Sequence, residues 1–178
     1  GYTLLLGNNP VFYRDVVVQP WGAVWSDESQ KSWEADLEAR MRDELGPAAT
    51  ELTRDAWQSR AAKTYIVSEP RHFVDASIHR VRSLWNTVPQ GDAATGVNQW
   101  IVAAVGVFYA FTLCTAAIGA IIVLIREGRT AWFPIFVLIF AVQIVHLFYW
   151  TNTRMRAPLT SSIALLAAAT YPQRKKPS

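Results

Sequence analysis

Two arginines carry the first chemical signal in this chain. Arg154 and Arg156 stand in Thr151-Asn-Thr-Arg-Met-Arg-Ala-Pro158, between two strongly apolar stretches. A guanidinium stays charged, and its planar fork matches a phosphate or carboxylate with two parallel hydrogen bonds. Where an apolar helix begins, such a pair can hold an anion, or it can snorkel and stop the helix. His146 lies about a turn inside the end of the preceding apolar stretch. An ionisable group there is a candidate site, although a neutral ring bonded to a neighbouring helix is the commoner arrangement. Asn8 and Asn9 favour a turn through side chain-to-backbone bonds, with substrate contact as the alternative.

Other residues offer less. His72 and His79 are two turns apart, with no Cys or third His nearby to complete a metal site, so no metal is expected. The carboxylates of Asp27, Glu28, Glu34, Asp36 and Glu38 fit a solvated helix face. There is no Gly-rich phosphate loop, nucleophile elbow or metal-ligand cluster, and no cofactor is expected. Cys114, the only cysteine, lies within an apolar run and reads as a small hydrophobe. No disulfide can form within the chain.

The elements that must position these residues fall into two unlike halves. Residues 1–99 hold ten Lys/Arg against thirteen Asp/Glu, a net charge of −3. Residues 100–178 hold seven Lys/Arg against Glu127 alone, a net charge of +6. The basic surplus sits at the ends of apolar runs and the other half is acidic, so nucleic acid is not an expected partner. The run from Trp100 to Ile125 has no formal charge and as helix reaches roughly 39 Å, against a hydrocarbon layer of about 30 Å. Trp132 to Trp150 reaches roughly 28 Å. Pro158 to Tyr171 gives only roughly 21 Å, and snorkelling from Arg156 and Arg174 extends it to about 27 Å. Trp100, Tyr149 and Trp150 suit one membrane boundary and Trp132 the other.

These lengths predict an all-α membrane protein. Two long transmembrane helices (about 98–126 and 132–150) and one short third (about 158–171) follow a small, mainly helical region over 1–97. The positive-inside tendency places the Arg126-Glu-Gly-Arg129 connection and the Gln173-Arg-Lys-Lys176 tail in the cytoplasm. Residues 1–97 and the loop 151–158 are then extracytoplasmic, despite the two Arg in that loop, provided the third run spans.

Within the first region, Gly7-Asn-Asn-Pro10 predicts a turn and Val16-Val-Val18 a short extended piece. Ser26-Asp-Glu-Ser29 starts a helix with Trp33, Leu37, Met41 and Leu45 on one side, ended by Gly46-Pro47. A second helix over about 50–68 aligns Trp57, Ala61 and Tyr65. A third, from Pro70 to about Trp85, aligns Val74, Ile78, Val81 and Trp85. Residues 86–97 read as a linker. Three short amphipathic helices bury little surface alone, so they are expected to dock on each other and on the membrane face of a larger body.

Three segments in order carry a family resemblance: Gly1-Tyr-Thr-Leu-Leu-Leu-Gly-Asn-Asn-Pro10, the stretch AAKTYIVSEPRHFVDASIHRVRSLW from Ala61 to Trp85, and Thr153-Arg-Met-Arg-Ala-Pro158 with its apolar run. Together they resemble the C-terminal part of a GT-C class multi-pass glycosyltransferase. The pattern is similar to dolichyl-phosphate-mannose–protein mannosyltransferases and the bacterial aminoarabinose transferase. The third segment departs from the family's Arg-aromatic-Arg-x-Pro pattern in having Met155. The resemblance implies a bacterial inner-membrane enzyme that transfers a sugar from a polyprenyl-phosphate donor to an extracytoplasmic acceptor. Arg156, with Arg154 second, would contact the donor phosphate; His146, Asn8 and Asn9 are further candidates. The family's catalytic acid lies in an early extracytoplasmic loop with no counterpart here. With the start at Gly1, this leads to the expectation of a C-terminal fragment, inactive alone, that packs against absent N-terminal membrane helices. From a different class, the same layout fits a non-catalytic membrane-anchored interaction module. A transporter fragment fits less well, since no charge or break interrupts the middle of a run.

Overall fold

The computed structural model describes residues 1–88, 90, 96–126 and 129–171. Helices are the regular structure there: α1 (Tyr2–Gly7), α2 (Pro10–Phe12) running into a π-helical turn (Tyr13–Val17), α3 (Asp27–Leu45), α4 (Glu51–Ser68), α5 (Pro70–Leu84), α6 (Gln99–Arg126) and α7 (Arg129–Phe148). A 3-10 segment (Thr153–Leu159) leads into α8 (Thr160–Ala168). There is no strand among the described residues.

Local chemistry sets these boundaries. The Ser26 hydroxyl accepts from the Ser29 N–H, and Asp27 and Glu28 sit in the first turn of α3, where the helix dipole favours acid. Gly46, at φ 76°, ends that helix in a backbone conformation that suits glycine. Thr50 caps α4 in the same way, and Pro70 opens α5, where its missing N–H has no cost. The valines of Val16-Val-Val18 do not form the extended piece expected of them. Tyr13 and Val16 are buried, so the helical path started at Pro10 carries on through them and tertiary burial overrides β-propensity.

Two apolar clusters organise the chain. One lies in the head formed by α1–α5, where Leu5, Phe12, Trp25, Trp33, Leu37 and Met41 come together. The other joins α6, α8 and the 3-10 segment through Ala116, Leu159, Ile163 and Leu166. At Gly119 a Cβ would fall 1.7 Å from the Leu166 carbonyl oxygen, so the α6 and α8 backbones touch there and only glycine fits.

Gln99–Ile125 and Ala131–Phe148 are each long and apolar enough to cross a membrane, with mean hydropathies of 2.3 and 2.2. Their side chains largely face outward; Phe108, Phe111, Phe133 and Phe140 are all exposed. Helix α8 covers only about 14 Å by itself, and the 3-10 segment before it adds about 14 Å. The third apolar run therefore approaches a crossing only together with the segment that holds Arg154 and Arg156. The tail cations Arg174, Lys175 and Lys176, the Glu127-Gly128 connection and linker residues 89 and 91–95 lie outside the described residues.

Candidate functional site

The C-terminal end of α7 gathers the polar side chains of the head. An α-helix ends with carbonyls that lack intrahelical donors and carry the negative pole of its dipole. Arg80, on α5, meets them. Its Nη2 donates to the Leu147 carbonyl at 2.7 Å and to Ser77 Oγ at 3.2 Å. Its Nη1 donates to the Gly7 carbonyl at 2.6 Å and to Asn8 Oδ1 at 3.3 Å. The residue is 1% exposed and its Nε–H has no partner among the described residues. Burial pushes its pKa down to about 10, with Tyr13 pulling the other way, so the group remains a cation at neutral pH.

Further bonds tighten this junction. Ser77 Oγ lies 2.9 Å from the Leu147 carbonyl, Asn8 Nδ2 donates to the Phe148 carbonyl at 2.7 Å, and the Trp150 N–H donates to the Thr3 carbonyl at 3.4 Å. A Cβ on Gly7 would stand 3.0 Å from the Trp150 nitrogen and 3.1 Å from Arg80 Nη1, so the absent side chain lets α1 approach. Phe73 stacks on Phe148 at 5.6 Å between ring centroids, and Phe12 meets Trp150 at 5.2 Å.

Arg156 makes a second junction one turn further along α5. It is 6% exposed. Nη1 donates to the Leu84 and Asn86 carbonyls at 3.2 and 3.1 Å, capping the end of α5, and the guanidinium carbon lies 5.1 Å over the Tyr109 ring. Beside it, Trp85 Nε1 donates to Gln143 Oε1 at 2.7 Å, and Gln143 Nε2 is buried without a partner among the described residues. Arg154 is exposed. The two expected phosphate ligands thus part: one is turned inward, the other toward the surroundings. Among the described residues no carboxylate pairs with Arg80, Arg154 or Arg156.

The other candidates are engaged internally. Asn8 and Asn9 are fully buried. Asn8 donates to the Leu4 and Phe148 carbonyls while its oxygen accepts from Arg80 and from the Tyr13 hydroxyl. Asn9 donates to the Leu5 and Leu6 carbonyls and accepts from the Phe12 N–H, which caps α2. His146 Nδ1 lies 2.9 Å from Thr151 Oγ1, and that hydroxyl is 3.0 Å from the Tyr149 carbonyl. His79 packs against the rings of Phe12 and Trp21, and Arg82 lies over Trp21 at 4.2 Å. Burial first, then the charges of Arg80 and Arg82, lower the His79 pKa. His72 stacks on Tyr13 instead, 5.7 Å between centroids. No group of three or more His, Cys, Asp or Glu side chains suited to a metal forms among the described residues.

Arg80 had a signal in the sequence that periodicity alone passes over. It is the one charge on the α5 face that carries Ala76, Ser83 and Leu84, all buried. A cation on the small, apolar side of an amphipathic helix needs acceptors from elsewhere.

Comparison of the chain with family models, with curated proteins and with solved structures finds no match.

Proposed function

We propose that this chain is the C-terminal part of a membrane glycosyltransferase of the GT-C type, taking a sugar from a polyprenyl-phosphate donor on the outer face. The observation that carries the reading is charge without countercharge. Arg80 and Arg156 are both withdrawn from water, the one at the end of α7 and the other at the end of α5, and Arg154 stands exposed two residues from Arg156, with no carboxylate among the described residues bonded to any of them. Buried cations raise the potential around them and favour an anion at that level. A lipid-linked phosphate is the anion available at a membrane boundary. Charge grows on that phosphate as the sugar departs, so fixed guanidinium groups stabilise the transition state more than the ground state. Arg154 is free to reach a headgroup, and Arg156 anchors the loop that presents it. In this reading the carboxylate that activates the acceptor belongs to a part of the protein outside these residues, and residues 1–97 form an extracytoplasmic platform.

The test is transfer from a polyprenyl-phosphate hexose by the whole protein in proteoliposomes. Arg154→Ala is expected to raise the donor KM or lower kcat/KM by about 10- to 100-fold, the scale of a charge-assisted hydrogen bond of roughly 1.5–3 kcal/mol. The unfolding midpoint should stay put, because the side chain is exposed. Unchanged donor kinetics in a folded Arg154→Ala protein, or no transfer from any polyprenyl-phosphate sugar by the wild type, contradicts the reading.

One observation favours a second reading, a non-catalytic membrane-anchored interaction module. Asn8, Asn9 and His146 all find their partners inside the fold. Wild-type protein that transfers no sugar yet is captured by a defined partner through the acidic α3–α4 surface would favour it.

A further inference from the structure

Helix α5 leaves one flank uncovered. Phe73, Ser77, Arg80 and Leu84 face α7 and α1. About 100° round the helix, at 3.6 residues per turn, runs a second apolar stripe of Val74, Ile78 and Val81 that leads into Trp85. Val74 and Ile78 are each 53% exposed, and nothing in the head covers them. Arg71 and Arg82 edge the stripe, both exposed, about 16 Å apart along the helix. The stripe ends at Trp85, which is hydrogen-bonded to Gln143 inside the apolar helix α7. The helix is thus pinned to a candidate membrane span at Trp85, Ser77 and Arg80, with an uncovered apolar edge beside those contacts.

We infer that α5 lies on the membrane as an interfacial helix: Val74 and Ile78 enter the boundary between headgroups and acyl chains, and Arg71 and Arg82 bond lipid phosphates. The occupant of this edge is lipid rather than protein for two reasons. The edge belongs to a helix hydrogen-bonded to a candidate spanning helix, and its flanking charges are cations that complement phosphate, while the rest of the head is acidic. Asp75 lies beyond the cationic edge and faces water. Such seating fixes the height of the head, and with it the height of Arg82 and Arg154. The inference needs the membrane helices but not the transferase reading, so either can fail alone.

The test labels single cysteines with a nitroxide in the full chain carrying Cys114→Ser, reconstituted in vesicles of phosphatidylcholine with a minority of phosphatidylglycerol. Positions are Val74→Cys, Ile78→Cys and Asp75→Cys, with Phe111→Cys on α6 and Leu52→Cys on α4 as lipid and water references. Oxygen, which partitions into lipid, and a water-soluble nickel chelate compete to relax each label. The expected result is a depth parameter at 74 and 78 shifted toward the Phe111 value, while 75 stays with Leu52. Labels at 74 and 78 that behave like Leu52 overturn the inference, since the edge then faces water. Labels shielded from both reagents overturn it too, since protein then covers the edge. All of these sites are exposed, so the labels should not prevent folding.

Discussion

Arg80 gives its hydrogen bonds to acceptors from three parts of the chain: Gly7 and Asn8 at the end of α1, Ser77 on its own helix and Leu147 at the end of α7. Arg80→Met would leave the Gly7 and Leu147 carbonyls buried without that donor, at an expected cost on the order of 3 kcal/mol. Arg80→Lys should recover only part, because one ammonium cannot serve both arms of the fork. Denaturant unfolding in detergent micelles checks both. His79 gives a pH dependence of definite sign. Its folded pKa lies below the ordinary 6.5, so the unfolded chain binds a proton more readily. Stability should therefore fall as the pH drops through about 6.5 and level off below the folded pKa. His79→Gln should flatten that part of the profile, read as unfolding midpoints between neutral pH and pH ~5. At this scale the sequence shows the Asn8-Asn9 turn, since both residues bond locally. It does not show who accepts from Arg80, because Leu147 is distant in the chain and only folding brings it near.

The elements themselves were largely readable from spacing. Cap residues and prolines mark α3, α4 and α5, and apolar length marks α6 and α7. Misreadings came where neighbours outvote local preference. Val16-Val-Val18 has strand-forming residues, yet the burial of Tyr13 and Val16 keeps them on a π-helical path. In the last apolar run Pro158 and Leu159 still belong to a 3-10 segment, so the α-helix begins at Thr160, two residues into the run. A glycine contact decides how this run packs. Gly119→Val would drive a side chain into the Leu166 carbonyl, which the backbone can relieve only by separating α6 from α8. The expected loss is about 1–3 kcal/mol or more. Trypsin should then cut faster after Arg154 and Arg156, and the thermal midpoint in micelles should fall.

For the molecule as a whole, two joints hold the head against the apolar helices. At one, Arg80, Ser77 and Asn8 reach from α5 and the turn after α1 to the last carbonyls of α7; at the other, Arg156 reaches from beyond α7 to the last carbonyl of α5 and to that of Asn86 just past it. Each joint puts donors on the open end of a helix and so ties the head to the apolar helices. The charge asymmetry of the halves suggested two regions but carried no hint of these joints, because the acceptors are backbone atoms and leave no mark in composition. Amide hydrogen exchange of the full chain in lipid nanodiscs tests the coupling most directly. In wild type, Gly7–Asn9 and Phe148–Trp150 should exchange slowly, and Arg80→Met should accelerate both segments together while the middle of α6 is unchanged. Acceleration of one segment without the other, or of neither, would contradict a head clamped to the end of α7.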